Sequence, residues 1–104
     1  MKILLTGATG FVGSYILKTL LADHHSVCIV VRKYSKSDRI RDVVEKCIVY
    51  RQDTAAPERI FSENRIDCVI HCATCYGRNG KEYMQNITSN LLFPVELLCC
   101  AAEH

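Results

Sequence analysis

The segment of this 104-residue chain with the most chemical content is Thr6-Gly7-Ala8-Thr9-Gly10-Phe11-Val12-Gly13. It separates a short apolar run, Lys2-Ile3-Leu4-Leu5-Thr6, from a stretch in which Val12, Ile16 and Leu20 recur every four positions. Glycines at 7, 10 and 13, where a strand hands over to a helix, permit three things. These are a tight turn, close approach of backbone to a bound group, and close packing of helix on strand. The helix start adds N–H groups without intrahelical partners and a partial positive charge. The pyrophosphate of a dinucleotide is the anion that suits such a site. A bare strand–helix turn is the competing reading, and the strand context makes it the weaker one.

The end of the second strand reads the adenosine ribose in such sites. An acidic side chain there bonds the 2′-hydroxyl, whereas an arginine accommodates a 2′-phosphate. Here the residues are Val30-Val31-Arg32-Lys33, with Ser35 and Lys36 nearby and no carboxylate before Asp38. Arg32 and Lys33 therefore favour NADP, with NAD as the alternative; a solvated strand end is the bland explanation of both cations.

Other candidate groups carry less. Cys68, Cys72 and Cys75 match the letter spacing of a radical iron–sulfur motif. However, Cys68 and Cys72 fall on a predicted strand, too far apart to fold around a cluster. Only Cys72 and Cys75 have zinc-like spacing, with His71 or Cys47 as further donors. Thiols acting as small hydrophobes explain them better. His24-His25 reads as a turn, since histidine tolerates a left-handed backbone. Arg78 and Lys81 could meet an anionic substrate, but solvation is the simpler account.

The elements that must position these groups alternate. Residues 2–6, 26–32, 47–51 and 67–73 read as strands, and residues 11–22 as a helix. Residues 33–46 read as a loop and then a helix containing Ile40, Val43 and Val44, residues 57–64 as a short helix or turn, and residues 76–80 as a polar loop. Ile87, Leu91, Val95, Leu98 and Ala102 mark a last helix, expected to kink at Pro94, which cannot bond the carbonyl of residue 90. This alternation predicts an α/β fold with a parallel sheet built from βαβ units. Residues 1–104 read as one unit, without repeat or linker.

Composition removes several classes of function. The chain is 49% hydrophobic and 23% charged with a net charge of +2, which excludes disorder and supplies no basic stripe for nucleic acid. Its apolar runs are too short to span a bilayer, and the opening run is too short for a signal peptide. Seven cysteines, an odd number lying mostly in apolar runs, predict free thiols and a reducing cytoplasm.

Thr-Gly-x-x-Gly-x-x-Gly so near the N-terminus resembles the extended branch of the short-chain dehydrogenase/reductase superfamily. That branch contains NAD-dependent epimerases, dehydratases and reductases of nucleotide sugars. The likeness continues in Asp53, in Val69-Ile70-His71-Cys72-Ala73 and in Asn90. It implies a partial Rossmann fold, a doubly wound parallel sheet of four strands in the order 3-2-1-4 with helices on both faces. By the same resemblance Gly7, Gly10 and Gly13 contact the pyrophosphate, with Phe11 and Val12 supplying N–H groups. Asp53 and Thr54 lie by the adenine, Ala73 lines the ribose and nicotinamide side, and Asn90 braces the active site.

The resemblance covers only the N-terminal part of such an enzyme. Proton transfer in the family resembles chemistry by a tyrosine in Tyr-x-x-x-Lys, and none of Tyr15, Tyr34, Tyr50, Tyr76 and Tyr83 has lysine four residues on. The chain is therefore expected to be a dinucleotide-binding segment truncated before its catalytic and substrate-binding parts. A stand-alone, non-catalytic binding module or a degenerate remnant is the alternative. Without fifth and sixth strands, the fourth becomes an apolar edge, from which weak stability or self-association is expected.

Overall fold

The computed structural model describes residues 1–32, 35–74 and 83–104. Lys33, Cys75, Arg78, Lys81 and the 76–80 loop lie outside the described residues. The elements are β1 (Lys2–Thr6), α1 (Phe11–Ala22), β2 (Ser26–Val31), β3 (Ile48–Arg51), α2 (Pro57–Glu63), β4 (Cys68–His71), α3 (Tyr83–Ile87) and α4 (Phe93–Glu103). The four strands are parallel, as their alternation with helices predicted, and stand in the order β3-β2-β1-β4 that the family resemblance implied. β1 is central, running from Lys2↔Ser26 to Thr6↔Val30 against β2 and from Ile3↔Cys68 to Thr6↔His71 against β4.

Alternation along the strands divides the core between two faces. Leu4, Cys28, Val30 and Tyr50 face Ile60 and Phe61 of α2 and Phe93 and Leu97 of α4. Leu5, Val27 and Ile29 face Leu17 of α1 and Ile40. Both faces of β1 and β2 are thus covered, which is why these strands read as continuous apolar runs. Leu4, Leu5, Leu17 and Ile29 are fully buried, each worth roughly 1.5–3 kcal/mol.

Two segments differ from the sequence reading. The expected helix within 33–46 is instead a pair of 3-10 turns, Asp38–Ile40 and Val44–Lys46. Ile40 is buried in the α1-side core while Val43 and Val44 pack only partly against it. One deep anchor secures a single turn, but so short a segment cannot nucleate a longer helix by itself. The disturbance at Pro94 takes the form of a π-helical turn, Thr88–Leu92, between α3 and α4. The N–H of Phe93 reaches back to the Thr88 carbonyl, and Pro94 follows within the first turn of α4, where a missing N–H costs least.

The face of this last helix is also reversed. Phe93, Leu97 and Cys100 are the buried residues of α4. Ile87, Leu91, Val95 and Leu98, the stripe that set the helical period, are among the exposed large hydrophobics. The helix is apolar on two sides, so periodicity alone could not choose which packs on the sheet.

Close backbone approach fixes the junction of β1 and α1. A Cβ at Gly13 would overlap the Gly7 carbonyl oxygen and lie 2.6 Å from its carbon. The turn before β2 is the other special point, where His24 adopts a positive φ of 64°. Gly13→Ala should lower stability by roughly 1–3 kcal/mol, because rigid backbone must move. His24→Gly should raise it by about 1 kcal/mol through relief of the left-handed strain. Denaturant unfolding checks both, and equal midpoints for all three proteins would contradict the description of these junctions.

Candidate cofactor-binding site

Gly7 has φ 74°, and a Cβ there would lie 2.6 Å from both the Ala73 nitrogen and the Cys72 carbonyl carbon. The ends of β1 and β4 therefore sit against each other without room for a side chain. Gly10 differs. Its backbone is extended (φ −80°, ψ 176°), and among the described residues a Cβ would meet only the Gly7 oxygen at 3.4 Å, an ordinary contact. The described residues do not require glycine at 10, which lines a cleft.

Gly10 is also where α1 begins. Its N–H is spent on the Gly7 carbonyl (3.1 Å), and the first intrahelical bond runs from Ser14 N–H to the Gly10 carbonyl (3.0 Å). The N–H groups of Phe11, Val12 and Gly13 precede that bond, so the helix ladder leaves them over. No side chain caps the helix, and its first turn holds no acidic residue. An anion beside Gly10 would meet three N–H groups and an uncompensated helix dipole.

Thr6 locks the floor of the site. Its hydroxyl oxygen accepts from Cys72 N–H (3.1 Å) and Ala73 N–H (3.2 Å), and lies 2.6 Å from His71 Nδ1. A hydroxyl has two acceptor positions and one proton. The Cys72 N–H is shared between the hydroxyl oxygen and the Thr6 carbonyl (3.1 Å), and the short contact to Nδ1 holds the His71 ring at the same corner. Burial holds the His71 pKa below its usual value, consistent with a neutral ring.

These elements bound a cleft of about 510 Å³ at the carboxyl ends of β1 and β4, the crevice where the order of a doubly wound sheet reverses. Of the residues singled out by sequence, Gly7, Gly10, Phe11, Val12, Gly13, Arg32 and Ala73 line it. Asp53 lines an adjoining cleft of about 450 Å³ together with Arg32, and is paired with Arg51 at 2.9 Å. Thr54 lines neither and turns its hydroxyl to the Arg51 carbonyl (3.4 Å). Asn90, in the π turn, accepts from the Thr74 hydroxyl at 3.0 Å and so ties that helix to the segment after β4.

Sequence reasoning missed Arg39. Its Nη1 donates to the Thr9 carbonyl at 3.5 Å, and its guanidinium stands 5.9 Å from the centroid of the Phe11 ring. The available signal was its place beside Ile40, an isolated apolar residue in a basic stretch that had to be anchored somewhere. Gln52, Thr74 and Ser89 also line the cleft without having been foreseen. The six described cysteines are free, and among the described residues no group of three His, Cys, Asp or Glu could hold a metal ion. No described helix is long and apolar enough to cross a membrane.

A parallel sheet whose central strands are covered on both faces, with a glycine turn and a bare helix start at its crevice, defines a Rossmann-type α/β unit. Residues 3–104 match the NAD dependent epimerase/dehydratase family, and the chain belongs to it. Over 98 residues it is 35% identical to CDP-abequose synthase of Salmonella muenchen, covering 93% of this chain and 32% of that protein. Over 110 residues it is 34% identical to UDP-glucose 4-epimerase of Neisseria meningitidis, covering 92% and 32%. The crystal structure of UDP-glucose 4-epimerase from Bifidobacterium longum in complex with NAD+ and UDP superposes with a TM-score of 0.76 at 28% identity, over 100% of this chain and 34% of that one. The Thermotoga maritima UDP-glucose 4-epimerase superposes with a TM-score of 0.83 at 24% identity, covering 99% and 34%. The chain thus spans about a third of the length of the relatives it matches.

The partial desolvation of His71 gives stability a pH dependence. A base whose folded pKa lies below its unfolded value binds fewer protons when folded. Its contribution is therefore complete above the unfolded pKa, about 6.5, and is lost as pH falls through the lower folded value. Protonating Nδ1 would also set a third donor against the Thr6 oxygen. His71→Gln, which retains an acceptor but does not titrate, should flatten this acid limb in thermal melts between pH 7 and 5. Thr6→Val strands the Ala73 N–H and should cost about 1–3 kcal/mol at every pH. An unchanged acid limb in His71→Gln would show that other groups set it.

Proposed function

We propose that this chain is the dinucleotide-binding part of an oxidoreductase, epimerase or dehydratase acting on nucleotide sugars, and that it takes NADP in preference to NAD. The observation that carries the reading is Gly10. Nothing among the described residues requires a glycine there, and the missing side chain leaves the N–H groups of Phe11, Val12 and Gly13 open to an approaching anion. A diphosphate is the kind of anion that such a helix start suits. The nicotinamide would supply hydride chemistry when bound; the chain's own part is to hold the pyrophosphate at Gly7, Gly10 and Gly13. Asp53 and Thr54 are assigned to the adenine side, and Ala73 and Asn90 to the side facing the nicotinamide.

The preference for NADP rests on Arg32 and Lys33. The cleft lining among the described residues includes Arg32 and Arg39 and no carboxylate. The nucleotide-sugar assignment is supported by the relatives, whose names carry CDP- and UDP-linked sugars. Catalysis is assigned to residues outside this sequence, since no tyrosine in it is followed four residues later by lysine. The same absence favours a second reading, a module that binds dinucleotide without turnover. The intact mass of the protein from its native cells separates the two: several times 11.8 kDa fits the first and about 11.8 kDa the second.

The free thiols suit a reducing cytoplasm. β4 pairs only with β1 among the described strands, and its open edge adjoins a fold that also exposes Leu91, Val95 and Leu98. We assign self-association to this edge, because an apolar strand with unpaired N–H and C=O groups templates a second copy. Sedimentation at rising concentration should show species heavier than one chain, and a monomer throughout would remove the assignment.

The cofactor reading is tested by calorimetric titration with NADP+ and NAD+. Gly10→Val should abolish binding of both, because its side chain fills the gap. Its stability should fall by no more than about 2 kcal/mol, the usual cost of an unfavourable N-cap residue, so the protein stays folded. Undiminished binding by Gly10→Val would overturn the site.

A further inference from the structure

We propose that Thr74 is a positioning residue for the bound dinucleotide. Its hydroxyl holds Asn90, and with it the π turn, at the distance from the end of β4 that the cofactor requires. This rests on the dinucleotide reading above and concerns a wall of that site, not its phosphates.

The π turn forms part of both clefts. Ser89 and Phe93, in the turn and just after it, line the larger one, while Gln85, Thr88 and Ser89 line the adjoining one. The position of this turn therefore sets the width of each. The core does not fix that position. Phe93, Leu97 and Cys100 anchor α4 on the sheet, but the π turn itself contributes no buried residue. Its Leu91 and Leu92 are more than half exposed. Pro94 lacks the N–H that an α-helix would return to the carbonyl of Asn90, so an α-helical bond cannot form at that point. A turn without core contacts, in a stretch of altered ladder, needs a tie from elsewhere.

Thr74 supplies it. This residue lines the larger cleft just beyond the end of β4. The two residues between, Cys72 and Ala73, donate their N–H groups to the Thr6 hydroxyl at 3.1 and 3.2 Å, so Thr74 leaves from a fixed corner. Its own hydroxyl donates to Asn90 Oδ1 at 3.0 Å, a link across sixteen residues from that corner to the loosely held turn. Both partners are exposed, and a hydrogen bond between exposed groups adds little to global stability. Its loss is therefore read in the cleft and not in the melt. Valine keeps the branched shape of threonine without the hydroxyl, and serine keeps the hydroxyl without the methyl group, so the two substitutions separate the tie from packing.

The experiment is calorimetric titration of the full chain, Thr74→Val and Thr74→Ser with NADP+ and with NAD+, alongside thermal melts. Thr74→Val should weaken both dinucleotides by the same factor, about three- to tenfold, the worth of one neutral hydrogen bond, with the melting temperature unchanged. Thr74→Ser should bind within about twofold of the unsubstituted chain, because the donor is retained. In isotope-labelled protein the side-chain amide of Asn90 should shift in Thr74→Val and keep its place in Thr74→Ser. Unchanged affinity in Thr74→Val would overturn the inference while leaving the cofactor site intact. An equal loss in Thr74→Ser would trace the effect to the methyl group and overturn it too. A lowered melting temperature in Thr74→Val would make the pair a support of the whole fold, with the same consequence. Failure of the unsubstituted chain to bind either dinucleotide would remove the site reading and the inference together.

Discussion

Helix α1 comes so close to the end of β1 that the Gly7 carbonyl occupies the space a side chain at Gly13 would need. Much of the molecule depends on that contact. It aims the start of α1 at the carboxyl end of the sheet, which brings the leftover N–H groups to the crevice. It requires Gly7 to turn at positive φ, and that turn presses the end of β1 against Cys72 and Ala73. Thr6 then ties the same two residues with its hydroxyl, so the ends of β1 and β4 and the glycine turn form one rigid corner. The cleft is what this corner leaves open.

The three glycines have separate physical duties. Gly7 answers a backbone angle and Gly13 a close packing, and both are needed whether or not anything binds. Gly10 answers neither, which is why it carries the functional argument. A motif read as letters treats the three alike; the geometry separates what the fold needs from what a ligand needs.

Where one physical demand dominated, the sequence was readable. The residues of β1 and β2 are buried on both faces, so unbroken apolar runs located them, and the bounds of β1 and α1 coincide with those expected from periodicity and the glycine turn. His24 was legible because few residues other than glycine accept a left-handed turn. Reading failed where two demands competed. The last helix is apolar on two sides, and the side that sets its period is the one left open. Pro94 announced a disturbance but not its form, since a kink and a π turn both spare the missing N–H. Arg39 was invisible because its importance comes from an approach across thirty residues to Thr9, which no local pattern encodes. The substrate side of the site was not legible at all, because the chain spans about a third of its relatives' length.

The central claim is that a dinucleotide's pyrophosphate docks on the first turn of α1. Backbone amide spectra of the isotope-labelled chain, recorded during titration with NADP+, test it most directly. The account predicts that the largest shifts fall on the Phe11, Val12 and Gly13 amides and on Ala73, with the shift saturating as one site. Saturating shifts confined to another surface, such as the α2–α4 side around Glu58 and His104, or no shift at any amide, would contradict it.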